Sequence, residues 1–563
     1  MTFQPYAASE ATRLMCAGVH LDPEFRRRVI SELVEHDERS VPPSLGFDLV
    51  PVLAHALKAR VAEAVTGAVL AAIWIGFFVA SHQPLIATPS PGHGRDYYDP
   101  SASDPLGEGI QTATPYVTNF AFLYASACLL SWFAKTPAAR NHALYAPVPP
   151  AGSPHPLRRA RTGFLSVAAA FAQLGYWERA VSDLAQHSYY LGVAFPCALA
   201  AVVWVHRLLA ARTVREQLNR LRYPDLPPTG LPHRGRYRAI GAGIDAEQYS
   251  PLVVYDPAQP FLGSGIPFQP WSFVLELKRR PTGRVVPGQG VNPQQRDLTA
   301  RAVLDLFVPR LLALQQAAAE TSLDRLRDME VEEVVFLPYG PPRGAVRRDR
   351  ETVERHLHDA VDEGAERRRH FLRIRIGAWD EQVVLSVLIR VHTQGRLLLL
   401  EVVPHVLGPV RRDYELLADA VALRGVRLRS GRPAVSAFVA GPAALRSLLR
   451  YGAGPWGGAA AAGDGFAPSA RPGVSLRELA AESKVSLLQD LDVSRYVRTI
   501  QERLIAGVRE ALHSEGYETG QFEQTVVQVL EGGVYIGAMS GGAVASGAGA
   551  SARAGAATGG TTT

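Results

Sequence analysis

Val61-Ala-Glu-Ala-Val-Thr-Gly-Ala-Val-Leu-Ala-Ala-Ile-Trp-Ile-Gly-Phe-Phe-Val-Ala80 carries a single charge, Glu63, close to its edge. A helix needs about 20 mostly apolar residues to cross a bilayer, whereas 10–14 suit a buried core helix. Three further apolar runs follow: Tyr116–Ala134, the weaker Gly163–Trp177, and Ser188–Val205. The first, second and fourth are long enough to span. Lipid is therefore the expected solvent of roughly the first 210 residues, and water that of the rest. The whole-chain averages (563 residues, 47% apolar) blend a greasy third with a polar remainder and describe neither. Of 59 basic residues only Lys58, Lys135, Lys278 and Lys484 are lysines. That bias reads as codon composition rather than nucleic-acid binding, because scattered charge gives little affinity for nucleic acid.

Charge sets the topology. Lys58 and Arg60 precede the first run and predict a cytoplasmic N-terminal helical segment over residues 1–60. Glu24 through Arg39 is too charged for a signal peptide, so the first span (61–80) is expected to be an uncleaved anchor. Residues 81–115 hold Arg95 among Asp96, Asp99, Asp104 and Glu108, with many Pro and Gly, as in an external loop. After the second span (116–134), residues 135–162 carry Lys135, Arg140, Arg158, Arg159 and Arg161 without an acid, and belong inside. The third run decides the count. Were 163–180 to stay on the surface, the fourth span (188–206) would export Arg207, Arg212, Arg215, Arg220 and Arg222, against the positive-inside rule. Four spans in the cell (inner) membrane, both termini cytoplasmic, satisfy every loop.

The spans read as anchors, since functional intramembrane charges sit deep and paired while Glu63 lies where it can snorkel. Pro196 is expected to be a tolerated membrane proline. A juxtamembrane basic helix is expected over 207–223, with Val214, Leu218 and Leu221 on one face. Its arginines, Arg207, Arg212, Arg215, Arg220 and Arg222, are candidates for contact with anionic lipid.

Residues 224–450 read as a cytoplasmic α+β domain. Strand-like runs occur at Leu252–Tyr255, Trp271–Leu277, Val331–Leu337, Phe371–Ile376, Val383–Val391 and Leu397–Val403. Leu372, Ile374 and Ile376 alternate with Arg373 and Arg375, which predicts a sheet with one covered face. Gln394-Gly395 predicts a tight hairpin and hence a mostly antiparallel sheet. Helices are expected at Ala300–Thr321, with Pro309 as a break, and at Arg350–Arg369. A Gly/Ala/Pro-rich linker (451–474) precedes a helical segment (475–531), which opens on a capping box at Ser475 and Glu478. There a helix from Asp492 to Gly516 lines up Val497, Ile500, Leu504, Val508 and Leu512, a seam for a domain, a protein partner or a second copy. The Gly/Ala-rich tail (532–563) is too poor in large apolar residues to build a core, and disorder is expected there.

Chemistry is sparse. Cys16, Cys128 and Cys197 form no metal knuckle, His356 and His358 face apart on a helix, and no cofactor motif is present. The segment Gly263-Ser264-Gly265 is a candidate loop for presenting backbone N–H groups to an anion, although it is neither a P-loop nor a nucleophile elbow. Arg367-Arg368-Arg369 is neutralised by acids on the same predicted helix, which argues against nucleic acid.

Two strings carry a resemblance: Phe261-Leu-Gly-Ser-Gly265 with Trp271-Ser-Phe273, and Leu530-Glu-Gly-Gly-Val-Tyr-Ile-Gly537 with Gly541-Gly-Ala-Val-Ala-Ser-Gly-Ala-Gly-Ala550. With the span layout they resemble uncharacterised multi-pass integral membrane proteins of high-GC, Streptomyces-like actinobacteria. The resemblance implies no activity, cofactor or catalytic residue. The expected function is a membrane-tethered interaction or sensing module. The competing readings are a membrane-bound enzyme with a site near Gly263–Gly265, and a small transporter, which the lack of deep charges opposes.

Overall fold

The computed structural model describes residues 6–82, 119–134, 156–187, 190–280, 298–321, 324–340, 343–363, 368–424, 471–482 and 484–530. Most of the loops expected at 81–115 and 135–162, most of the linker and the tail at 532–563 lie outside the described residues. The chain divides into two compact units: one holds Lys58–Thr213 and Leu423–Ala461, the other Met1–Leu57, Val214–Ala422 and Ala462–Thr563.

Helices α1 (Glu10–Leu21) and α2 (Pro23–Ile30) open the second unit, and α3 (Leu49–His82) leads into the first. The first unit continues through α4 (Phe120–Phe133), α5 (Pro156–His187) and α6 (Leu191–Gln217). Among the described residues three helices are long and apolar enough to cross a membrane: Leu49–Ser81, Leu191–Gln217 and Ala300–Glu320. The last lies in the other unit, with Val303, Leu304, Phe307 and Leu311 buried in a sheet core, and is a core helix. Helix α4 has only 14 residues, and α5 falls outside that set.

This unit is apolar inside and out. Tyr124, Phe77, Tyr176 and Leu199 pack at its centre, with Phe77 stacked on Phe195 at 4.8 Å. Its outer surface is equally greasy: Val65 and Ile75 on α3, Phe122 on α4, and Phe164, Phe171 and Leu174 on α5 are exposed. Pro196 sits inside α6 without breaking it. Proline has no N–H for the carbonyl four residues back, and here the Tyr176 hydroxyl of α5 donates to that Gly192 carbonyl at 2.5 Å.

In the other unit, α7 (Gly235–Gln248) precedes β1 (Leu252–Tyr255), β2 (Ile266–Pro267) and β3 (Trp271–Glu276). Then come α8 (Ala300–Thr321), β4 (Glu330–Pro338), α9 (Arg350–Asp362), β5 (Arg369–Ala378), β6 (Val383–Gln394) and β7 (Leu397–Leu407). The chain continues through α10 (Arg412–Arg424), the single turn α11 (Leu476–Leu479), α12 (Leu487–Ser514) and α13 (Gly520–Leu530). The sheet runs β1-β4-β5-β6-β7-β2, with β3 also paired to β7. Among the described strands only β1–β4 is a parallel pair. Gly395 and Arg396 both take positive φ between β6 and β7, as a two-residue hairpin with the strands' own twist requires.

Four expectations change. Pro309 does not break α8, because it lies on the exposed side, where the freed carbonyl meets water. The helix expected at Arg350–Arg369 ends at Asp362, and Arg369 already pairs in β5. Both faces of the sheet are covered: Arg375 is buried and held by Glu330 and Glu381, and Arg373 by Glu332. Finally, α12 starts at Leu487, not Asp492, because Ser486 and Gln489 close a capping box there.

Candidate functional site

The N–H groups of the glycine loop are taken by a carboxyl group of this chain. Phe261 anchors the loop among Phe336, Phe371 and His405. Gly263 and Gly265 take φ of +94° and +95°, and a Cβ on Gly265 would lie 2.3 Å from the Val406 carbonyl oxygen, so only glycine fits. Their two N–H groups donate to one oxygen of Glu478, at 2.8 and 2.9 Å. The expected capping box is thus half formed: Ser475 accepts from the Glu478 N–H, while the Glu478 carboxylate reaches the loop. Burial pushes the Glu478 carboxyl above the usual range, and the two loop N–H groups oppose that shift.

Beside it, Arg477 is fully buried and donates to the carbonyls of Gln382 and Gly408, at 2.7 and 2.8 Å. Burial lowers its pKa to about 10, still cationic at neutral pH. The neighbouring cavity, bordered by Pro42, Pro43 and Ser475, measures about 20 Å³ and admits a water rather than a substrate. Chemically, this arrangement clamps the segment around α11 onto the sheet edge. Among the described residues no group of three or more His, Cys, Asp or Glu converges as a metal site.

The five arginines do not act as one set. Arg207 is buried in the helical unit, whereas Arg212, Arg215, Arg220 and Arg222 are exposed. The basic helix expected to run to 223 stops at Gln217. Asn219 ends it by accepting the Leu221 N–H on its side chain and the Arg222 and Tyr223 N–H groups on its carbonyl. Val214 and Leu218 are buried, but Leu221 is 86% exposed. An open concavity of about 640 Å³ lies against Arg215, Glu216, Asn219, Leu221 and Arg222.

The seam of Val497, Ile500, Leu504, Val508 and Leu512 is covered by this chain's own α8 and sheet, so it is not a free face for a partner. What α12 exposes instead is Leu487, Leu488 and Leu491 in its first turns. Sequence reasoning missed Tyr176, whose partner shows only in three dimensions. It also missed His206, whose Nδ1 meets the Thr66 hydroxyl at 2.9 Å between α6 and α3. A polar residue on a long apolar helix was the available signal.

Residues 270–543, just under half of the chain, match the model of a family described as the AbeC-like domain. The match takes in the sheet from β3 onward with α8, α12 and α13, and leaves out the helices of the Lys58–Thr213 unit and the glycine loop. No curated protein and no solved structure matches the chain.

Proposed function

We propose that the chain is a four-span protein of the cell membrane, with both termini cytoplasmic, that tethers its mixed-sheet unit there as an interaction or sensing module. The carrying observation concerns parity. Residues before the first span and after the last pack into one body: Arg13 donates to the Leu218 carbonyl at 2.8 Å, Tyr223 to the Ala7 carbonyl at 2.9 Å, and the Val41 N–H to Glu247 at 2.7 Å. Both segments therefore share one side of the bilayer, and an even number of crossings must separate them. Among the described residues four helices lie between, each with exposed apolar side chains that only lipid or protein would cover. Two or four crossings satisfy the parity, and the arginines after Val205 favour the cytoplasmic side. The arginine-rich composition fits the actinobacterial source that the resemblance implies.

The interaction reading is supported by the exposed Leu487, Leu488 and Leu491, an apolar patch suited to a protein partner or a second copy. Topology is tested with reporter fusions at Gly107 and after Arg222. An external signal at Gly107 and a cytoplasmic one after Arg222 are expected. An external signal after Arg222 would overturn the four-span reading, and a cytoplasmic one at Gly107 would reverse the first loop.

A further inference from the structure

The chain presents two apolar side chains on two adjoining turns. Leu221 is held outward by Asn219 while its neighbours Leu218 and Tyr223 are buried. Trp379, 45% exposed, starts the β5–β6 turn, where Trp379, Asp380 and Glu381 all take φ near +60°. Three consecutive left-handed non-glycine residues are costly and persist only where surroundings over-determine them. Here Glu381 is pinned by Arg375, while Asp380 is held by Arg325 at 3.7 Å and Arg220 at 3.3 Å. Arg220 comes from the Leu221 turn and also lies 3.9 Å from Glu10, so it ties the two turns together. Arg215 and Arg222 line one concavity with Leu221, exposed and without an ion pair among the described residues, and Glu216 is the one acid that lines it.

We propose that these two turns form a bilayer contact that selects anionic phospholipid headgroups, an inference that rests on reading α6 as a span. A tryptophan and a leucine beside unpaired guanidinium groups match the amphipathic headgroup layer, with the rings and methyl groups toward the acyl boundary and the cations on phosphate. Leu221 follows four residues after the end of α6, the helix read as the last span. The fixed geometry matters too, because a preformed contact spends little entropy on ordering.

The test uses the full chain in liposomes, with L221C in a C197S background carrying an environment-sensitive fluorophore; Cys16 and Cys128 are buried. Blue-shifted emission is expected, quenched more by nitroxide-labelled phosphatidylglycerol than by labelled phosphatidylcholine. In R215Q/R222Q that preference is expected to vanish, with quenching by the two lipids becoming equal. Equal quenching in the unsubstituted pair of arginines would overturn headgroup selection. Water-like emission from a chain that resists alkaline carbonate extraction would overturn the contact while leaving the spans standing. Extraction by carbonate would instead remove the membrane reading itself. If inorganic phosphate at matched ionic strength abolished the preference, the site would be one for a free anion, and the lipid assignment would fall.

Discussion

Tyr176 illustrates what one hydroxyl does in an apolar unit. Pro196 leaves the Gly192 carbonyl without its helical donor, and Tyr176 replaces that donor from the next helix. Tyr176→Phe keeps the ring against Phe120 and Tyr124 but removes the hydrogen bond. An unpaired carbonyl away from water costs about 1–3 kcal/mol. The variant is expected to unfold at lower temperature in detergent, as followed by thiol-reactive dye at the buried cysteines. Adding Pro196→Ala restores a backbone donor, so the double variant is expected to recover most of the loss, a coupling that an independent pair would lack. A Tyr176→Phe melting temperature equal to that of the native chain would sink this account.

Among elements, the strands were the most legible: β1 was read to the residue, and the hairpin at Gly395 followed from its glycine. Alternation and turn chemistry are local, so they survive in a bare sequence. What failed to show were choices made by distant partners. Glu478 looked like a capping residue because Ser475 stood three positions before it, yet two glycine N–H groups more than two hundred residues away claim its carboxylate. Arg375 looked solvated because nothing in its strand revealed Tyr6 above its guanidinium, at 4.5 Å. Nothing in the glycine loop itself reveals that Glu478 takes its N–H groups. A similar distant pairing joins α8, β4 and β5. There the His370 ring and the Arg301 guanidinium, at 2.9 Å and at 2.8 and 3.1 Å, hold the Glu333 carboxyl down at about 2. Because the folded value lies below the ordinary 4.5, this carboxylate stabilises the fold above pH 4.5, and that contribution fades as pH falls toward 2. Partial exposure limits it to roughly 1–2 kcal/mol. Across that window, native-minus-variant stability for Glu333→Gln, measured by denaturant unfolding, should shrink toward its acid limit. A difference independent of pH would mean the triad contributes packing alone.

At the scale of the molecule, the N-terminal segment read as a separate helical piece is part of the sheet-bearing unit. Leu14, Met15, Val19, Phe25 and Val29 share one core with Leu218, Tyr223, Ile244, Tyr414 and Leu476, drawn from three distant parts of the chain. Tyr414 also donates to Asp22 at 3.0 Å, and Gly18 lies so close to its ring that any larger residue would displace it. Each such buried side chain is worth about 2–5 kcal/mol on truncation to alanine. Several together exceed the whole stability of an ordinary domain, about 5–15 kcal/mol. A chain lacking residues 2–47 keeps every apolar run and is expected to remain in the carbonate-resistant membrane fraction. Its water-facing part, however, is expected to lose the core around Leu218 and Tyr223, opening the arginine-rich turn at Arg220 and Arg222 to trypsin. The measurement is the rate of cleavage there in detergent-solubilised protein, which should rise at least tenfold because local protection follows the free energy of opening. Unaltered resistance would mean that the N-terminal helices only decorate the unit. A segment so loosely attached need not share a side of the bilayer with the body it touches, and an odd number of crossings would then be open to the chain.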